Sequence, residues 1–430
     1  MAWDFETDPA FEERLAWMRG FVDAEILPLE TLELGDDMLR RAVRPLQDEV
    51  KAAGLWAAHL EPALGGQGFG QVKLGLMHEI LGRSTFAPLV FGNNAPDSGN
   101  AELLALGSRS EEQKDRWLRP LLAGELRSAF SMTEPATAGS DPTLLRTTAV
   151  RDGDEWVING HKWFTTNGSV ADFLVVMCVT NPDVHPYQGC SMVIVPASTP
   201  GVRILRDVPT MEHPGKSFGV YGGHAEIVYE DVRVPYENLV GEEGEGFLLA
   251  QKRLGPGRVH HAMRWLGQSR RAFDMLCERA VSRFASGSVL GDKQMVQQWV
   301  ADSLSEMTQA RLLTLYTAWK MDTVGASKSR VEIAMIKYAG AKALYNVVDR
   351  AIQVHGSLGF STDLPLEHMY RMARAARIYD GPDEVHKVTV ARQVLKGYRP
   401  VEVPTEHVPT RRAAAREKFA WLLDQAAVST

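Results

Sequence analysis

One stretch holds the most pointed candidate chemistry in this chain: Arg377-Ile378-Tyr379-Asp380-Gly381-Pro382-Asp383-Glu384-Val385-His386. Asp-Gly and Gly-Pro are turn dipeptides, so Asp380 is expected at a break between two helices, one running up from Leu366 and one leaving toward Lys396. A carboxylate held at a fixed break is suited to proton abstraction. An N-cap or a solvated turn acid uses the same residues, and for an isolated Asp-Gly that plainer role is favoured.

Three further stretches could approach a ligand. Phe130 to Asp141 is a loop of small residues and hydroxyls, with Met132, Thr133 and Ser140, able to come close to a flat heterocycle and a phosphate. A Ser/Thr-rich turn explains it equally well. Ile158 to Gly168 reads as a hairpin turn followed by a strand, and period 2 places Phe164 and Thr166 on one face. From that face an aromatic could cover a ring and a hydroxyl could bond its edge; a core aromatic beside a surface Thr is the alternative. Gln353 to Phe360 offers an amide and two glycines, Gly356 and Gly359, or simply a helix end and its loop.

The elements that must position these stretches fall into three textures. Residues 1–127 read as mostly helical, with helices over Phe11–Leu27, Leu39–Ala53, Val72–Leu81, Gly99–Leu106 and Glu111–Leu122. The Gly-rich run Gly65 to Gly70 lacks the strand-then-helix context of a dinucleotide fingerprint and reads as a turn. Residues 128–241 hold short β-rich segments, Arg146–Val150, Glu155–Ile158, Phe173–Val179, Met192–Val195 and Glu226–Tyr229, suggesting a small antiparallel barrel or sandwich. Residues 242–397 are helical again and suggest a bundle, with Val300, Leu304, Met307, Leu315 and Ala318 on one stripe interrupted by Arg311. Residues 398–430 form a linker and a charged tail helix, Arg411–Ala427. The fold class is therefore mostly α with a central β domain.

Bulk properties exclude some classes. A chain of 430 residues buries a large core, and a formal net charge of −7 argues against a nucleic-acid binder with a basic surface. No apolar run is long enough to span a bilayer, and no metal-ligand spacing is present. The acidic N-terminus shows no targeting segment and the three cysteines are odd in number and far apart, so reduced thiols and a cytoplasmic location are expected.

Taken together, the motifs resemble the acyl-CoA dehydrogenase family over residues 1 to about 397. Phe130 to Asp141, Ile158 to Gly168, Asn238 to Phe247 and Ala351 to Gly356 occur in that family's order and spacing. The ending Asp380 to His386, with Asn94 to Asn100, is similar to an Asp-base subgroup typified by mammalian members ten and eleven and their bacterial homologues. The resemblance implies non-covalent FAD between the β domain and the last helices, and oxidation of acyl-CoA thioesters to trans-2-enoyl-CoA. It implies that Phe130, Met132 and Thr133 meet the isoalloxazine region and Ser140 a phosphate. Phe164 would cover the flavin and Thr166 would bond its N5 edge. Arg283 would reach the pyrophosphate of a neighbouring subunit's FAD, with Gln353, Gly356, Ser357 and Glu384 toward its adenosine side. Ser140, Arg258 and Gly381 would bind substrate. Asp380 matches the base, and the family's alternative base position is Gly257, which has no side chain to serve. A dry pocket is expected to raise the Asp380 pKa. A homodimer or homotetramer and electron-transfer flavoprotein as acceptor are implied. A nitroalkane oxidase-like or other flavin oxidase or monooxygenase on the same fold is the competing reading; a non-enzymatic scaffold is the other.

Overall fold

A computed structural model describes residues 7–32, 34–64, 66–214, 223–400 and 409–423. The front of the chain is helical: α1 (Pro9–Phe21), α2 (Asp36–Ala52), α3 (Gln71–Leu81) and α4 (Asp97–Gly107). Asp8 caps α1, accepting from Phe11 N at 3.0 Å, and Pro9 sits where a missing N–H does no harm. The expected single helix to Leu27 is instead broken. After Phe21 come a π turn, Val22–Ile26, and a 3-10 turn, Leu27–Thr31, which accommodates Pro28 near its own start. The expected Glu111–Leu122 helix likewise contains a π turn at Lys114–Leu118, with Trp117, Leu118 and Leu121 buried. The glycine-rich run, described from Gly66 onward, is the turn expected: a Cβ on Gly66 would lie 1.8 Å from Leu60 O. It delivers the chain to α3, whose first free N–H groups, Gln71 N and Val72 N, donate to Asp322 at 2.7 and 3.0 Å.

The middle of the chain folds into β1 (Ser128–Ser131), β2 (Thr148–Asp152), β3 (Glu155–Thr166), β4 (Phe173–Val179), β5 (Cys190–Pro196), β6 (Val202–Asp207), β7 (His224–Pro235) and β8 (Leu239–Val240). They make one sheet in the order β6-β7-β3-β2-β4-β5-β8, with β1 on β4. The five expected strands are all present, with β3 and β7 much longer than periodicity indicates. β1, β6 and β8 escape sequence reading: β1 is Ser-Ala-Phe-Ser, β6 is largely solvated and β8 has two residues. The sheet is mostly antiparallel, but β1 runs parallel to β4 from Ser128↔Phe173 to Ser131↔Val176. β4 and β5 are apolar almost throughout because both faces are covered.

The last layer is built on α5 (Gly246–Ser282), α6 (Gln294–Val324) and α7 (Arg330–His355), followed by α8 (Leu366–Ala375) and α9 (Asp383–Leu395). Val259, Met263, Leu266, Leu315, Ile336 and Leu344 belong to one core among these helices. On α6 the stripe is only partly inward. Met307, Leu315 and Ala318 are buried, whereas Leu304 is 48% exposed. Arg311 leaves the stripe to meet Glu79 at 2.8 Å. The chain divides into two compact units between Lys387 and Val388. The second contains α10 (Pro409–Lys418); residues 424–427 of the expected tail helix lie outside the described residues. Among the described residues no helix is long and apolar enough to cross a membrane.

Candidate active site

Asp380 lies in the turn between α8 and α9, and its backbone is unusual. Its φ is +54° and that of Gly381 is +94°, two left-handed residues in succession. Asp is one of the few side chains that tolerate this region, at a strain on the order of 1–3 kcal/mol. The surrounding helices hold the turn by its carbonyls. Arg258 Nη2, on α5, donates to Asp380 O at 3.4 Å, and His386 Nε2, on α9, lies 3.1 Å from the same oxygen. Lys337 Nζ, on α7, donates to Ala376 O at 2.6 Å and to Gly381 O at 3.2 Å. Trp265 Nε1 donates to Tyr379 OH at 2.8 Å. Asp380 is thus no N-cap: α9 begins three residues later, and the carboxylate turns toward α5 instead.

Oδ2 of Asp380 lies 3.3 Å from His261 Nε2, with the two side chains 26% and 24% exposed. Burial pushes the Asp380 carboxyl up, but His261, Arg253, Arg258 and Lys337 together push it down further, and it ends below the ordinary carboxylate range. This reverses the expectation of a raised pKa: the pocket gathers cations around its acid. His261 is driven by burial down to about 4, more than Asp380 raises it, so the imidazole is neutral at neutral pH. The standing cations are then Arg253, Arg258 and Lys337, the last pushed down by burial to about 8. The Arg253 guanidinium sits 4.4 Å from the Phe130 ring centroid, linking α5 to β1. Arg253 Nε and Arg258 Nε are buried without partners among the described residues, so the site presents donors suited to an oxygen-rich ligand.

A second group of residues is organised by β3. Trp163 N donates to Thr133 O at 3.0 Å, which fastens the loop after β1 to this strand. Beneath the loop lies a feature that sequence reading missed: Lys162 and Glu134, 0% and 3% exposed, pair at 2.9 Å. Lys162 Nζ also donates to Met132 O at 2.8 Å, and Glu134 accepts from Arg146 N and Thr147 N, both at 2.8 Å. The expected strict alternation fails locally. A register shift between Lys162 and Thr165 and a φ of +48° at Phe164 make a bulge. Phe164 and Thr166 nevertheless both stay off the buried side. Phe164 is 42% exposed, and Thr166 Oγ1 lies 2.9 Å from His224 Nδ1. An open ring, a hydroxyl beside it and a buried Trp163 Nε1 without a partner among the described residues fit a flat heteroaromatic group such as the flavin of FAD.

Other sequence candidates lie elsewhere. Ser140 and Glu384 are exposed, the latter in the first turn of α9. Arg283 is exposed at the C-cap of α5, 25 residues and roughly 37 Å along the helix from Arg258. Ser286 and Gly287, with φ of +50° and +88°, turn the small hairpin after it. Gln353, Gly356 and Ser357 are exposed at the C-terminal end of α7, with Gln353 roughly 24 Å along the helix from Lys337. The chain therefore brings together Phe130, Arg258, Asp380 and Gly381, and separately Met132, Thr133, Phe164 and Thr166. Arg283 and the Gln353 group lie far along α5 and α7 from Arg258 and Lys337.

Comparison with known proteins bears on this arrangement. Residues 10–125, 129–232 and 244–395 match, in turn, the N-terminal, middle and C-terminal domains of acyl-CoA dehydrogenase. The chain is 45% identical to the probable acyl-CoA dehydrogenase FadE2 of Mycobacterium tuberculosis, over 82% of this chain and 85% of that protein. It is 43% identical to human acyl-CoA dehydrogenase family member 11 over 82% of this chain, and spans only 44% of that longer relative. A solved structure of a putative acyl-CoA dehydrogenase from Mycobacterium abscessus superposes with a TM-score of 0.86 at 41% identity, covering 92% of this chain and all of the other. The chain belongs to the acyl-CoA dehydrogenase family of FAD-dependent oxidoreductases.

Proposed function

We propose that this protein removes the α and β hydrogens of an acyl-CoA thioester to give a trans-2-enoyl-CoA, with Asp380 taking the α proton. The observation that carries the proposal is the Asp380 turn itself: a carboxylate in a left-handed backbone, pinned by Arg258, His386 and Lys337. Gly257, at the family's other base position, offers no acid, and a Cβ there would meet only open space. FAD, when bound, supplies the acceptor for the β hydride.

The residues of the chain perform the rest. Asp380 is ionised in the open site because three cations face it. A bound thioester removes solvent from its remaining exposed quarter, which pushes the carboxyl back up toward the range where proton transfer is efficient. Arg253 and Arg258 carry Nε donors suited to thioester or phosphate oxygens. Met132, Thr133, Phe164 and Thr166 would hold the flavin ring, over the Lys162–Glu134 pair. Ser140 on its exposed loop would meet a phosphate. The distance of Arg283 and Gln353 along their helices from Arg258 and Lys337, with the exposure of Arg283, Gln353, Gly356 and Ser357, supports their serving a neighbouring subunit's FAD, and so a homodimer or homotetramer. Glu384, exposed at the start of α9, is the weakest member of that set. Electron-transfer flavoprotein is proposed as the acceptor on the resemblance alone.

Anaerobic mixing of the FAD-loaded protein with a panel of acyl-CoAs tests the reading. Wild type should bleach the flavin with acyl-CoAs and not with nitroalkanes. Asp380→Asn should bind the same thioester and bleach the flavin at least about a thousandfold more slowly. Bleaching by Asp380→Asn at near the wild-type rate would refute the assignment of the base.

A further inference from the structure

We infer that His261 is a positioning residue for the base: its Nε2–H holds Oδ2 of Asp380 and leaves Oδ1 to face the substrate α carbon. The inference rests on the reading of Asp380 as the base and names what aims it. Asp380 has two separate sets of holds. Its backbone carbonyl is taken by Arg258 and His386, and the next carbonyl by Lys337, so the turn needs nothing from His261. His261 instead meets the side chain, at 3.3 Å. A carboxylate at the end of a short side chain swings broadly about χ2, and one anchored oxygen removes that freedom.

The imidazole is itself aimed. Arg258, His261 and Trp265 stand at i, i+3 and i+7 of α5 and share the face turned to Asp380. The His261 ring stacks over Trp265 at 6.1 Å with 27° between planes, and lies 5.4 Å from the Tyr379 ring. Trp265 and Tyr379 are joined by a hydrogen bond, so both walls of the imidazole slot are fixed. Among the described residues, the titratable and charged groups facing the pair are Arg253, Arg258, His260 and Arg264 from α5, His78 from α3, Lys337 from α7, Tyr379 from the turn and His386 from α9. Arg264 is engaged by His78 Nδ1 at 3.0 Å and by Asn93 O. With Asp380 ionised, the nitrogen facing it must carry hydrogen, since a lone pair there would repel the carboxylate. A neutral donor has a use that a further cation would not: it orients the carboxylate while lowering its basicity less.

The test compares His261→Phe, which keeps a stacking ring without the donor, with His261→Gln, which restores an N–H at similar reach. Each FAD-loaded variant is first checked for flavin content and melting temperature, then mixed anaerobically with the best acyl-CoA across pH. For His261→Phe, flavin bleaching should slow about ten- to a hundredfold, as expected for a reacting group off its position by an ångström or less. KM should change little. The acid limb of the rate should move to higher pH, because the carboxylate loses a donor to its charged form. The primary isotope effect with α-deuterated substrate should grow. His261→Gln should recover most of the rate and return the acid limb. A His261→Phe protein with wild-type rate and acid limb overturns the inference, and so does a His261→Gln protein as slow as His261→Phe with an unmoved acid limb. The two levels are separable: if Asp380→Asn bleaches at the wild-type rate the base reading itself fails, whereas an inert Asp380→Asn beside an unaffected His261→Phe sinks only the role of His261.

Discussion

Lys162→Met should damage this protein far more than a lysine substitution in a strand normally does. Lys162 is fully buried, and its ammonium bridges Met132 O and Glu134 beneath the loop proposed to meet the flavin. Burial works against both charges. At Glu134 the Lys162 charge and the hydrogen bonds from Thr147 and Lys162 overcome burial, and the carboxyl ends below its ordinary value. At Lys162 burial wins, and the ammonium is pushed down despite Glu134. The two directions disagree about whether the pair is favourable, and Glu134 decides for the single variant because it is the group left behind. Removing one partner of a buried pair costs about 3–5 kcal/mol, since the survivor stays buried and unpaired. A melting point lowered by on the order of 3–6 °C follows for a chain of 430 residues, with loss of FAD as the loop loses its support.

The pH dependence gives a sharper test. In wild type the depressed Glu134 pKa contributes stability that is present above the unfolded value and lost as pH falls through the folded one. In Lys162→Met the Lys162 charge no longer opposes burial and only the hydrogen bonds from Arg146 N and Thr147 do, so the Glu134 pKa rises from its wild-type value and the gain of stability with rising pH weakens. Thermal unfolding followed by circular dichroism and by flavin release, at about pH 5 and about pH 8, reads both effects. Glu134→Gln/Lys162→Met should recover much of the loss and flatten the slope, because Gln still accepts from the backbone N–H groups without a charge. A single variant with wild-type melting and flavin content, or a double variant no better than the single one, would refute the reasoning.

Two other expectations concern the turn. Gly381→Ala should lower kcat sharply: at φ +94° a Cβ would lie 2.9 Å from His386 Nε2, so either the turn or the carbonyl hold must give, and steady-state kinetics beside a melting curve would show it. Lys337, with its pKa pushed down to about 8, should set an alkaline limit on activity, since its loss of charge weakens the bonds that hold Ala376 O and Gly381 O. Stability should move oppositely: between that pKa and the unfolded value near 10.4 the unfolded chain binds the extra proton, so the Lys337 contribution rises with pH. A pH–rate profile in which Lys337→Arg does not shift the alkaline limb upward would discount this role.

The sequence disclosed the site's chemistry more readily than its supports. Asp380 stands out because Asp-Gly-Pro is local turn chemistry, and local chemistry survives folding. Phe164 and Thr166 were legible as a pair, though period 2 missed the bulge that actually presents them, since a φ of +48° at a Phe has no sequence signature. Lys162 and Glu134 sat inside quoted motifs without a role. A buried ion pair is visible only when residues 28 apart meet, and in sequence each looks like a solvated charge. Lys337 gave no signal, being one lysine in a long helix. The raised pKa expected for Asp380 failed for the same reason: burial can be anticipated from an apolar context, but Arg253, Arg258 and Lys337 converge on one carboxylate from two different helices. The layers themselves were clear from periodicity, while β1 and β6 were not, because neighbours rather than residue types make them strands.

The choice of Asp at position 380 is a backbone choice as well as a chemical one. The carboxylate of Asp ends about 1.5 Å short of that of Glu, a loss of reach for a residue proposed to take a proton from carbon. Yet the residue here occupies the left-handed region, where Asp and Asn are tolerated and longer side chains are scarce. The turn is not shaped by Pro382 alone. Its unusual angles fall on Asp380 and Gly381, and the forces that keep them come from Arg258, His386 and Lys337 on three separate helices. Those holds fix where the short side chain starts, and the His261 contact restricts where it points. Reach lost in the side chain can then be supplied by the position of the backbone, provided the backbone cannot relax. That is why the cations around Asp380 are compatible with its proposed role as base although they lower its pKa: Arg258 and Lys337 pin the strained turn, and desolvation on substrate binding would act against their effect on acidity.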